Sequence, residues 1–222
     1  MNAQNVGAGT RWYNVGVWGK EDREWGQGGG KGTEGEGDWR DLQQRAPTPV
    51  RRDRLGEWLF RYPDKKAATL LWEGFTWGFR LGYEGPRRRR WADNLKSARE
   101  HGDVVQCKLD KEVKEGRMAG PFRDWPIQDL IISPIGVVPK KEKGQFRLIQ
   151  HLSWPEGQSV NDYIADDSAT VTYASLDIAL ELVCQTGTGA EMAKSDIKSA
   201  FRLLPVHPED FCLLGIQFQG RW

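Results

Sequence analysis

A chain of 222 residues is long enough for one medium or two small domains. Its 32 Lys and Arg against 31 Asp and Glu leave a formal charge of +1, so overall charge singles out no class of partner. Cys107, Cys184 and Cys212 are far apart and form no Cys-x-x-Cys pair, which argues against a disulfide framework or a zinc site and fits a reducing compartment. No apolar run approaches the roughly 18–20 residues of a membrane span. The first residues lack the basic start and apolar stretch of a secretory signal. The expectation is an intracellular soluble protein, cytoplasmic or nuclear, with no membrane partner.

Residues 1–47 hold 11 of the 26 glycines, with Trp12, Trp18, Trp25 and Trp39 scattered among charges and no helical or strand period. Such a stretch buries too little apolar surface to offset its chain entropy, and it is expected to be a disordered tail. Its Gly-Gly-Gly-Lys-Gly-Thr run lacks the spacing of a phosphate-cradling loop, because Gly32 follows Lys31.

From residue 48 the sequence becomes patterned. Leu55, Trp58, Leu59 and Tyr62 lie at helical spacing and predict one helix with an aromatic core face, ending at Pro63. Ala67, Leu70, Leu71 and Phe75 predict a second, stopped near Gly74. Residues 51–100 carry 13 Lys and Arg against 7 Asp and Glu, a local excess that fits either a polyanion partner or a solvated surface. Within it Arg87, Arg88, Arg89 and Arg90 follow Gly85-Pro86 and are expected on a loop. They read as a nucleic-acid-binding phosphate patch, a nuclear-import signal or plain solvated surface.

A helix is predicted from about Val104 to Glu115, with Asp103 as N-cap, a Val105/Leu109/Val113 stripe and Gly116 as terminator. Ile131–Pro134 comes next. Gly136–Lys141 and Phe146–Gln150, joined by Glu142–Gln145, predict a hairpin. Ser175 caps a further predicted helix to about Val183, a Gly-Thr-Gly turn leads into a strand-like Met192–Ile197, and Leu213–Phe218 reads as a last strand. This order of elements predicts an α+β domain with a largely antiparallel sheet. Residues 48–125 would form a helical region preceding the sheet-bearing part, 126–222.

Two stretches carry candidate chemistry. Across the predicted hairpin, Lys140 and Lys141 face Arg147, a compact mobile charge beside a planar fork able to grip phosphate oxygens. Taken alone, the stretch also reads as an exposed hairpin with charged edges. Asp196 follows a short apolar approach, where a carboxylate at a strand end can ligate magnesium through hard oxygen contacts; a helix N-cap at the same place is equally compatible. His207 is expected to be structural.

In their order and spacing, six phrases resemble the reverse transcriptases of DIRS-like retrotransposons, which use a tyrosine recombinase. They are Thr76–Arg88, Asn94–Ala98, Glu112–Phe122, Ser133–Lys141, Phe146–Asp162 and Asp196–Asp210, and the resemblance covers about 48–222. It implies a partial right-hand polymerase: fingers and an incomplete palm behind a helical N-terminal region. It further implies an RNA-directed DNA polymerase, a nucleotidyltransferase using Mg2+, with template–primer and deoxynucleoside triphosphate as partners. By that resemblance Asp196 is the first catalytic aspartate, ligating magnesium with help from the Ile197 carbonyl. Phe201 lies under the incoming sugar, Arg147 near the triphosphate, and Lys141 or Lys140 beside it. His151 stands where many relatives have aspartate.

The family chemistry is two-metal phosphoryl transfer. Its further carboxylates sit in a Tyr-x-Asp-Asp hairpin, a motif that occurs nowhere in these 222 residues. The expectation is therefore a truncated polymerase-like fragment, inactive alone. A captured, non-enzymatic nucleic-acid-binding or assembly module is the alternative.

Overall fold

The computed structural model describes residues 47–166, 173–197 and 200–222, without the side chains of 201 and 202. The expectation of a disordered tail over 1–47 falls almost wholly outside these residues. The chain mixes helices with two small sheets, an α+β arrangement.

Helix α1 (Arg52–Phe60) and helix α2 (Lys65–Trp77) form an antiparallel-like pair joined by a short turn. The Asp64 carboxylate accepts from the amide of Ala67 at 3.0 Å, satisfying one orphan donor and fixing where α2 begins. The helix continues through Gly74, past the predicted stop, and ends at Gly78. There φ is +102°, and a Cβ would stand 2.5 Å from the His207 backbone, so only glycine fits. The chain passes this point against the C-terminal segment, with Phe79 donating to the Pro205 carbonyl and His207 donating to that of Phe79. The expected aromatic core face of α1 is corrected: Leu59 is buried, but Trp58 is 78 % exposed and Tyr62 is also exposed.

Strand β1 (Arg90–Trp91) lies parallel to β2 (Ile131–Ile132), so the arginine run ends in a strand rather than wholly in a loop. A short helix that the sequence reading did not anticipate, α3 (Lys96–Glu100), precedes α4 (Gly102–Lys114). The predicted cap on α4 is displaced: His101 occupies the cap without a side-chain bond, and Asp103 lies in the first turn. Val105 and Leu109 are buried as the stripe requires, with Val113 half-buried.

The predicted hairpin forms, β3 (Ile135–Pro139) antiparallel to β4 (Phe146–Gln150), with Val138 opposite Arg147. Its position is set by the Asn-Leu-Lys-Ser-Ala phrase. Asn94 accepts from the Ile135 amide at 3.0 Å and donates to the Gln217 carbonyl at 2.8 Å, while Ser97 accepts from the Val137 amide at 3.1 Å. Gly136 permits this approach, because a Cβ there would meet Leu95 and Ser97 at 2.8 Å.

Helix α5 (Leu176–Thr186) starts where Ser175 accepts from the Ile178 amide, as predicted, and runs three residues further than expected. Met192–Ile197 is irregular rather than a strand. The last predicted strand is also corrected. Leu213 ends a 3-10 turn (Pro208–Leu213), and beyond it only single bridges occur, Gly215 to Ile132 and Phe218 to Arg221. Among the described residues the sheets are thus one parallel and one antiparallel pair rather than a largely antiparallel sheet.

Two hydrophobic clusters hold the body. One gathers Tyr83, Ile131, Leu152, Val160, Cys212 and Leu213. The other packs Ala98, Val105 and Leu109 against Ile135 and Val137 of the hairpin. Each draws on residues from both sides of position 125. Cys212 is buried, whereas Cys107 and Cys184 are exposed.

Candidate nucleotide and nucleic-acid interface

The hairpin has two unlike halves. Near its base Ile135, Val137 and Ile149 face the core, while from Val138 to Arg147 every residue is exposed except half-buried Phe146. The His101 ring, 4.5 Å from that of Phe146, braces the junction. The turn is closed by the Lys140 amide donating to the Gln145 carbonyl at 2.8 Å. Lys140, Lys141 and Arg147 all stand in solvent, and none is paired with a carboxylate among the described residues. On this exposed flap Lys140, Lys141, Lys143 and Arg147 stand against the single carboxylate of Glu142, an excess of positive charge of the kind that suits a multivalent anion.

Asp196 lies apart in kind. It is exposed, on irregular chain, and no hydrogen bond or ion pair reaches it from a described residue. The buried strand end expected for it is not present. Ile197, whose carbonyl was the second expected magnesium ligand, is also exposed. Phe201 belongs to the 3-10 turn Ala200–Leu203, and its side chain lies outside the described residues. Among the described residues no group of three or more His, Cys, Asp or Glu gathers where a metal could sit. One carboxylate with one neighbouring carbonyl supplies fewer oxygens than a two-magnesium centre needs, so no catalytic step is derived through a metal.

The arginine run is engaged largely within the fold. Arg87 donates to Asp210 at 2.5 Å and to the Glu209 carbonyl at 2.7 Å. Arg89 lies 3.7 Å from the centroid of the Trp125 ring. Arg90 donates to the Gln158 carbonyl and, at 2.6 Å, to the Tyr83 hydroxyl. Arg88 and Arg89 are both exposed without a hydrogen bond or ion pair to a described residue, and Arg89 has the Trp125 ring in their place. Three members of the supposed phosphate patch therefore already have partners.

Asp210, 1 % exposed, is the polar centre of the body. Arg80 grips it in a fork through Nε and Nη2 at 3.0 and 3.1 Å, the Leu81 amide donates at 2.8 Å, and Arg87 adds a second side chain. Burial pushes the carboxyl up, but these donors outweigh it and hold the group below the usual carboxylate range. His207 serves as the cap of the same turn, its Nδ1 accepting from the Glu209 amide, which is a structural role. A second buried fork, Arg117 on Glu112, closes the end of α4, with Glu115 also against the guanidinium. Burial lowers the His151 imidazole below its usual value.

Sequence reasoning passed over two features. The Arg80–Asp210 fork joins residues 130 positions apart, which no local pattern announces. The other is a cavity of about 140 Å3 flanked by Trp91 and Trp154, whose only sequence signal is a tryptophan directly after the arginine run. No protein-family model, curated protein or solved structure matches the chain. Among the described residues no helix is long and apolar enough to cross a membrane.

Proposed function

We propose that the chain is the fingers and leading palm segment of a reverse-transcriptase-like domain of DIRS-like retroelement type, which binds nucleotide and nucleic acid but does not polymerise alone. The observation that supports this most is the hairpin β3–β4. It projects Lys140, Lys141 and Arg147 into solvent without an ion pair to a described residue, in the phrase where the family keeps its triphosphate-facing cations. In this reading Arg147 grips phosphate oxygens through its planar fork, and the lysines neutralise charge as it develops. Asp196 contributes one magnesium-facing carboxylate. Phe201 is the residue under the sugar, and template–primer is held by sequence-independent backbone contacts.

The reading is tested by binding of magnesium–deoxynucleoside triphosphate to the purified chain at low salt. Binding is expected, weakened at least about 10-fold by Arg147→Ala, a loss in the range of a charge-assisted hydrogen-bond pair. Absence of triphosphate binding would end the polymerase reading. Salt-dependent nucleic-acid binding that survives without triphosphate binding would instead favour the non-enzymatic binding module. In a primer-extension assay the 222-residue polypeptide is expected to add no nucleotide. Primer growth abolished by Asp196→Ala would reverse the expectation of inactivity.

A further inference from the structure

Strand alternation gives the β3–β4 hairpin a back and a front. Pairing sets Ile135 against Gln150, Val137 against Leu148 and Pro139 against Phe146, so Ile135, Val137, Phe146 and Leu148 share one side. That side packs on Ala98 of α3 and on Val105 and Leu109 of α4. Val138 and Arg147, opposite one another, belong to the other side. Lys140 joins them, because its amide carries the pairing one step further, to the Gln145 carbonyl. Phe146 and Arg147 are thus neighbours in sequence whose side chains leave the sheet in opposite directions. Whatever fixes Phe146 from behind also fixes the backbone that carries the guanidinium in front.

The ring that lies on Phe146 is that of His101, with centroids 4.5 Å apart and planes tilted by 40°. His101 occupies the junction of α3 and α4. Its amide donates to the Ser97 carbonyl at 3.1 Å, closing α3, and its carbonyl accepts from the Val105 amide at 3.0 Å, opening α4. Its imidazole makes none of the capping bonds that an N-cap side chain commonly supplies, so the ring serves the hairpin and not its own helix. Asn94 and Ser97, on the same stretch, take the Ile135 and Val137 amides. Residues 94–101 thus hold both strands. Asn94 and Ser97 grip β3 at the base, and His101 presses on β4 where the hairpin leaves the core.

We propose that His101 is a positioning residue for the hairpin cations: its ring, seated on the α3–α4 junction, holds Phe146 and thereby keeps Arg147 and Lys140 turned toward one approach. The functional half of this inference rests on the reading that these cations take a triphosphate; the mechanical half does not. His101 stands behind the hairpin, away from the side that would meet a ligand, so its effect is on population. One contact between two aromatic rings shifts a two-state equilibrium roughly 2- to 12-fold. A site competent for only part of the time binds more weakly by that fraction. What the contact asks of position 101 is a flat ring, not the protons of an imidazole.

Two measurements on the 222-residue chain separate the halves. The first is amide hydrogen exchange without ligand. His101→Ala is expected to speed exchange between Val138 and Arg147 roughly 2- to 12-fold while Ile135 and Val137 keep parent rates. His101→Phe, which retains a ring on Phe146, should restore the parent pattern. Phe146→Leu removes the other ring but keeps an apolar side chain, and it should reproduce the alanine result. The second measurement is a titration with magnesium–deoxynucleoside triphosphate. His101→Ala should weaken binding by the same factor as it speeds exchange, and His101→Phe should not. In an Arg147→Ala background the loss from His101→Ala should be smaller, whereas a chain merely destabilised would lose equally in both backgrounds. Parent-like exchange in both His101→Ala and Phe146→Leu, failure of His101→Phe to restore it, or equal binding losses with and without Arg147 would each overturn the proposal. If exchange responds as expected but the parent binds no triphosphate, the triphosphate reading falls with the functional half, and the brace stands.

Discussion

The body built on residues 79–164 and 205–222 and the segment 173–197 that bears Asp196 differ in almost every physical respect. In the body, side chains distant in sequence interlock: Leu213 and Val160 have no exposed surface, and Asp210 is enclosed by Arg80, Arg87 and the Leu81 amide. In the segment, α5 is amphipathic in sequence, yet Leu176, Ile178, Leu180, Leu182 and Val183 are all exposed and no residue of the helix is buried. The difference teaches that local signals suffice to make a helix, since Ser175 caps α5 regardless of what it packs on. They do not hold a functional carboxylate in a fixed place. The hairpin cations stand on a braced element, whereas Asp196 stands on one that buries nothing.

Substitutions sharpen that contrast in a graded series. Leu213→Ala removes a fully buried side chain from the first cluster and should cost about 2–5 kcal/mol in denaturant unfolding. Asp210→Ala leaves two arginines without their shared carboxylate and should cost about 3 kcal/mol; a loss under about 1 kcal/mol would show that the fork contributes little. Because the folded carboxyl is held below its ordinary value of 3.8, its contribution is complete above that pH and is lost as pH falls through the lower folded value. Asp210→Asn should accordingly flatten the acid limb of the stability profile. Gly136→Ala forces a Cβ against Leu95 and Ser97 and should lower stability by about 1–3 kcal/mol, read from the thermal midpoint.

On the other side of the contrast, Leu180→Gln in α5 should change stability by no more than about 0.5 kcal/mol. A larger loss would mean that this helix packs on the body in solution. The smallest effect expected is one of pH. Burial depresses the His151 imidazole below 6.5, so the unfolded chain takes up the proton first. Stability should fall slightly as pH drops through 6.5 and level off once the folded imidazole is also charged. Replacing His151 with Gln should remove that step from a pH series of unfolding curves.

What the sequence disclosed and what it hid follow from interaction range. The hairpin and the α4 stripe were legible because alternation and helical spacing are written within a few neighbouring residues, as with Val105 and Leu109. The start of α5 was legible because a serine cap acts on an amide three residues ahead. The extension of α2 past Gly74 was not, since its end is decided by His207, whose backbone lies against Gly78 from the far end of the chain. The same holds for Leu213–Phe218, where apolar content suggested a strand but the pairing offered is single bridges, Gly215 to Ile132 and Phe218 to Arg221. The candidate site divides the same way. Lys140, Lys141 and Arg147 could be placed on a hairpin by local pattern, while the engagement of Arg87 by Asp210 required a partner 123 residues away.

That separation has a consequence for synthesis in the cell. A nascent polypeptide emerging from the ribosome exposes Arg80 and Arg87 long before Asp210 exists, and the first hydrophobic cluster lacks Cys212 and Leu213 until then. The helical pair α1 and α2 and the β3–β4 hairpin can form as they appear, but the body closes only after translation has passed residue 213. Over that interval its apolar strands are open to chaperones and to neighbouring nascent chains.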